Sequence, residues 1–153
     1  MLRIAILASG SGSNAESLVR YFEQSGAARV NLIVTNNPKA GVIERANRLN
    51  VVVEVFSSNA ESDAVLTILK ERADLVLLAG YLQMIPKEWT LAFNGRMLNI
   101  HPALLPNFGG KGMYGKHVHR AVSKSGVHET GVTIHLVNES YDEGAIIAQY
   151  GVE

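Results

Sequence analysis

Three features of the 153-residue chain predict an α/β protein: a three-layer αβα, Rossmann-like, mostly parallel twisted sheet with an antiparallel pair near the C-terminal end. Short apolar runs alternate with helix-period stretches in βαβαβ order, which implies parallel strands with helices on both faces. A glycine-rich turn follows the first apolar run directly. The last two runs, "TGVTIHLVN" and "GAIIAQYGV", flank the polar turn "ESYDEG", as paired strands would.

Taken in order, "RIAILA" (3–8) reads as a buried strand, and Ala15, Leu18, Val19 and Phe22 then recur at i, i+3, i+4, i+7, the period of a helix that Gly26 closes. "VNLIVT" (30–35) is a second strand, followed by a helix across 40–49 and a third strand at "VVVEVF" (51–56). A helix through Ala64–Leu69 leads into "ADLVLLAG" (73–80), the most hydrophobic segment and hence the expected central strand. "RMLNI" (96–100) makes a fifth strand, and the glycine-dense "PNFGGKGMYGKH" after it marks a mobile or closely approached loop.

Composition narrows the chemistry. Fourteen basic residues balance fourteen acidic ones, so no global field recruits nucleic acid or an anionic membrane. The absence of cysteine excludes a disulfide scaffold, a thiolate nucleophile and a thiolate metal site. The strand-like start is too short for a signal peptide and no 18-residue apolar run occurs, so a cytoplasmic protein of one domain, 1–153, is expected.

In open sheets of this kind ligands bind at the carboxyl ends of the strands. "MLNIHPALLP" (97–106) delivers Asn99 and His101 there, on one face, because side chains at i and i+2 of a strand point the same way. A polar strand end that merely caps its loop is the alternative. Asp142, in the turn "NESYDEG", could orient the histidine or could simply be solvated.

The first loop, "ASGSGSNAES" (8–17), fits an anion site: glycine admits close approach, and a helix start offers free N–H groups and a positive dipole end. Ser13-x-x-Glu16 could equally be a capping box. A dinucleotide would demand an acidic residue about 20 positions on. The second strand ends instead in Asn36 and Asn37, so NAD is not expected, and Ser13 and Asn14 suit a phosphate monoester.

"GYLQMIPKEW" (80–89) offers Tyr81, Leu82, Met84 and Ile85 either to a flat ring or to the core. His117-x-His119 lacks a metal-ligand pattern, His128 reads as surface, and His135, inside a strand, reads as a satisfied core histidine. No G-x-S-x-G elbow is present.

Together "ASGSGSN", "LLAGYLQMIP", "LNIHPALLP", "HVHRAV" and "TGVTIHLVNESYDEG" resemble the phosphoribosylglycinamide formyltransferases, folate-dependent enzymes of purine synthesis, in order from residue 3 to about 150. The resemblance implies that Gly12, Ser13 and Asn14 hold the acceptor's phosphate. Leu82, Gln83, Met84 and Ile85, with Asn99, would bind the folate, and Asn99, His101 and Asp142 would form the catalytic set. It implies direct formyl transfer from 10-formyltetrahydrofolate to glycinamide ribonucleotide, with no metal, no NAD, no nucleic acid and no membrane, and it allows a homodimer. A formyltetrahydrofolate hydrolase and an inactive folate- or phosphate-binding module are the alternatives. Two departures stand out: Gln83 replaces a residue that is often basic, and the chain ends at "AQYGVE", where the family's pattern runs on through a further strand and helix.

Overall fold

The computed structural model describes residues 1–114, 116–139 and 144–153. Within them lie seven strands: β1 (Leu2–Leu7), β2 (Ala28–Thr35), β3 (Val52–Val55), β4 (Leu75–Leu78), β5 (Met97–His101), β6 (Thr130–Leu136) and β7 (Ile146–Val152). The helices are α1 (Ser13–Ser25), α2 (Val42–Arg48), α3 (Ser62–Arg72), α4 (Lys87–Ala92) and α5 (Lys116–Ser125). The strand order is β3-β2-β1-β4-β5-β6-β7, a mostly parallel arrangement that turns antiparallel at its C-terminal end, as expected from the sequence. By contact the chain divides into two compact units, Met1–Gln83 and Met84–Glu153.

In the first unit β1 pairs in parallel with β2 on one side and β4 on the other, and β2 pairs with β3. Such a strand buries both faces, which is why Ile4 to Leu7 is an unbroken apolar run with no solvent exposure. Ala15 and Val19 of α1 are buried in the cluster that holds Ile4, Ile6 and Ile33, and Leu18 and Phe22 pack against it. Gly26 ends α1 at φ 67°, its N–H donating to the Phe22 carbonyl at 3.0 Å; only glycine takes that left-handed turn cheaply. Arg3 fixes the register of β1 on β4. Its Nη2 donates to Asp74 Oδ1 at 2.9 Å, its Nε to Oδ2 at 3.2 Å and its Nη1 to the Glu71 carbonyl at 2.8 Å. The pair is too exposed to add much stability.

Boundaries differ from the sequence expectation by a few residues. β2 begins at Ala28, because Leu2 of β1 already pairs with it. The expected helix at Ala64–Leu69 is the middle of α3, which a 3-10 turn at Asn59–Glu61 precedes.

In the second unit β5 and β6, then β6 and β7, run antiparallel. α4 occupies part of the stretch that the sequence offered only as a ring-binding or core loop. Pro86 caps its start and Trp89, 1% exposed, anchors it. α5 contains both His117 and His119, exposed on either side of the buried Val118. β7 turns Ile146, Ile147, Tyr150 and Val152 toward solvent. Among the described residues, no helix is long and apolar enough to cross a membrane.

Candidate active site

At the end of β5 the antiparallel register builds a polar patch two residues deep. Asn99 lies opposite His135 and His101 opposite Thr133, and Thr133 in turn lies opposite Gln149 of β7. Directly paired residues share a face, so the five side chains stand together. Asn99 Nδ2 is 3.1 Å from His135 Nε2. An amide nitrogen can only donate, so His135 Nε2 presents a lone pair and Nδ1 carries the proton, donated to the Leu136 carbonyl at 2.9 Å. The imidazole of His135 therefore takes one of the two Nδ2 hydrogens and orients the amide, so that any donation by Asn99 to another group is through the second. Sequence reading placed His135 in the core, and it is 3% exposed and hydrogen-bonded as expected; its bond to Asn99 is what the sequence did not reveal.

His101 is 2% exposed. Its Nε2 lies 2.7 Å from the Phe108 carbonyl, an acceptor, so Nε2 bears a proton. The orienting group here is a main-chain oxygen from the segment after β5. That segment is held by Thr133, whose Oγ1 donates to the Ala103 carbonyl at 2.7 Å and accepts the Leu105 N–H at 3.0 Å. Gln149 Nε2 completes the hold, donating to Thr133 Oγ1 at 3.0 Å and to the Leu105 carbonyl at 2.9 Å. Asp142, the orienter expected from the sequence, lies outside the described residues.

In the first unit, Gly12 rather than Ser13 occupies the cap of α1, at φ 79°. The capping-box alternative is thus not formed: Glu16 instead pairs with Arg45 at 3.4 Å and with Arg20 and Arg48 at 3.7 Å. Three arginines cancel the one carboxylate at the start of the helix. The loop itself rests on α2, with Val42 N–H donating to the Gly10 carbonyl at 3.1 Å and Arg45 Nε to the Ser11 carbonyl at 2.7 Å. Both bonds consume carbonyls, and helix geometry leaves the first-turn N–H groups at Ser13 and Asn14 without intrahelical partners. Ser13 and Asn14 are exposed and Gly12 is buried. The arrangement can receive an anion.

Of the residues expected to meet a folate, Leu82, Gln83 and Met84 are exposed and Ile85 is buried. The Leu82 N–H donates to Ser9 Oγ at 2.9 Å. Burial pushes the neighbouring Tyr81 phenol well above its usual pKa. Among the described residues no cluster of three or more His, Asp or Glu could hold a metal ion.

In the second unit an amide and an imidazole thus share one face of a strand end, and in the first unit a helix start can accept an anion. Residues 2–153 match the formyl transferase family, and the chain belongs to it. Among its relatives is the chloroplastic phosphoribosylglycinamide formyltransferase of Arabidopsis thaliana, 44% identical over 159 residues that cover 98% of this chain and 54% of that protein. The phosphoribosylglycinamide formyltransferase of Bacillus subtilis is 36% identical, with 100% of this chain and 80% of that protein covered. The solved structure of glycinamide ribonucleotide transformylase 1 from Geobacillus kaustophilus superposes with a TM-score of 0.88 at 42% identity, covering 99% of this chain and 82% of that one. The chain spans about half the length of the plant relatives, 54% and 50%.

Proposed function

We propose that this protein transfers the formyl group of 10-formyltetrahydrofolate to the amine of 5'-phosphoribosylglycinamide, with residues 1–153 acting as one cytoplasmic formyltransferase domain. The observation that carries the proposal is that Asn99 and His101, two apart on β5, share one face at the strand end, with His135 of β6 paired to Asn99. The names and identities of the relatives support the choice of substrates.

The amine attacks the formyl carbon, a carbon–nitrogen bond forms, and the bond to the folate N10 breaks. The proton lost by the amine ends on N10, carried through water or the imidazole. Negative charge grows on the formyl oxygen in between. Asn99, with its amide oriented by His135, and a protonated His101 supply donors for that oxygen. Asp142 completes the catalytic set in this proposal. Gly12, Ser13 and Asn14 take the acceptor's phosphate, while Leu82, Gln83, Met84 and Ile85 receive the pterin. Neither a metal nor NAD has a step to perform.

The test is formyl release from 10-formyltetrahydrofolate, followed with and without glycinamide ribonucleotide. Turnover that requires the acceptor is expected. Equal turnover without it would mean hydrolysis, and binding without turnover would mean a binding module; either result defeats the proposal.

A further inference from the structure

The parallel strand order reverses beside β1, between β2 and β4, and the loops that follow β1 and β4 are tied together there by one buried residue. Ser9, immediately before Gly10, is 6% exposed. Its N–H donates to the Gly80 carbonyl at 3.1 Å, and its Oγ accepts the Leu82 N–H at 2.9 Å. The same hydroxyl donates its single proton to Asn36 Oδ1 at 2.6 Å. With that proton committed, a lone pair is left aimed at Leu82. Asn36, at the end of β2, thereby sets the direction of a hydrogen bond made to the loop after β4.

The grip matters because little else in the segment resembles a core. Gly80 turns the chain at φ 75°, and Leu82, 44% exposed, contributes little burial. A loop poor in buried apolar contact takes its position from its hydrogen bonds. Ser9 supplies two of them, one on each side of Tyr81.

We infer that Ser9 is a positioning residue for the segment 80–83, whose Leu82 and Gln83 belong to the proposed donor site, and that the Asn36 amide orients it for that task. What binds at the segment rests on the formyl-transfer proposal; how the segment is held rests on the Ser9 geometry alone. Ser9 also abuts the phosphate loop, but through backbone, so loss of its hydroxyl acts on one substrate and spares the other.

The experiment compares Ser9→Ala, Ser9→Thr and Asn36→Leu in the full chain. It reads hydrogen exchange at the Leu82 amide, tetrahydrofolate affinity by calorimetry, and KM for donor and acceptor separately. In Ser9→Ala, Leu82 protection should fall about tenfold. Tetrahydrofolate affinity should weaken roughly three- to tenfold, with donor KM rising in step and acceptor KM unchanged. Ser9→Thr keeps the hydroxyl and should restore both readings, and Asn36→Leu should fall between. Unchanged Leu82 exchange in Ser9→Ala would overturn the inference. So would equal losses for donor and acceptor, which would make Ser9 merely structural, or lost protection with full folate affinity. If the unsubstituted protein bound no tetrahydrofolate, the donor assignment would fall together with the proposed function, and the Leu82 exchange would still decide whether Ser9 holds the loop.

Discussion

The loop after β1 and the end of β5 both put polar groups at the carboxyl end of a strand, but they are made of different material. At β1 the candidate groups are main-chain N–H donors exposed by a left-handed glycine and a helix start, and the Arg45 side chain and the Val42 N–H of α2 hold the loop. At β5 the useful groups are side chains, and another side chain and a main-chain carbonyl orient them. Truncating a side chain should therefore disable the second site and barely touch the first. Altering a backbone conformation should do the reverse.

The largest expected effect is at His101. His101→Ala should lower kcat by roughly 10²–10⁴, since it removes a donor to the formyl oxygen and a proton carrier at once. It also strips the Phe108 carbonyl of its partner, costing about 1–3 kcal/mol of stability. His101→Gln retains an N–H for that carbonyl, so it should lose activity to a similar degree while melting closer to the unsubstituted protein. Single-turnover rates and thermal melts on both variants separate the two losses, and full activity in either would remove His101 from the mechanism.

Next comes the amide. Asn99→Ala should cost about 10²–10³ in kcat with a small change in KM, the loss of one oxyanion donor. His135→Leu should act through Asn99, lowering kcat less and doing nothing further once Asn99 is alanine. A double-mutant cycle in kcat checks this: additive losses would mean that the 3.1 Å contact does not orient the amide.

The same contrast explains what the sequence could and could not disclose. Asn99 and His101 stand out as candidates because side chains two apart at a strand end share a face, although a polar strand end that merely caps its loop carries the same pattern. His135 does not stand out, since alternation places it on an inward face, and its pairing with Asn99 depends on a register that no local pattern encodes. The Phe108 carbonyl was invisible for a simpler reason: every residue has one. At the first loop, Ser13-x-x-Glu16 carries the spacing of a capping box, but Gly12 holds the cap and Glu16 turns to arginines of its own helix and of α2. The apolar runs located every strand to within a few residues, whereas α4 was missed because its six residues are too few to display a period.

On the backbone side, Gly12 should prove costly to change for reasons unrelated to ligand. A Cβ there would stand 2.6 Å from Val42 Cβ and 2.8 Å from Val42 Cα, at a φ of 79° that alanine resists. Gly12→Ala should destabilise the fold by about 2–3 kcal/mol, summing left-handed strain and overpacking against α2. Urea unfolding measures this. An unaltered midpoint would show that α2 yields, and the loop would then be softer than its two carbonyl bonds suggest.

Gly10 is the sharper probe, with the smallest effect of the four. It is exposed, it does not lie in the left-handed region, and a Cβ built on it meets no protein atom within 4 Å. Gly10→Ala should therefore leave stability within about 0.5 kcal/mol, the usual range for an exposed site. Any loss of function must then come from what occupies the loop. If the acceptor's phosphate approaches the backbone closely, the added methyl should raise acceptor KM roughly tenfold, with donor KM and kcat little changed. Ser13→Ala, which removes a hydroxyl but no main-chain donor, should do less. A Gly10→Ala protein with unchanged acceptor KM would mean that nothing comes close to this stretch of backbone, and the phosphate would have to be sought elsewhere.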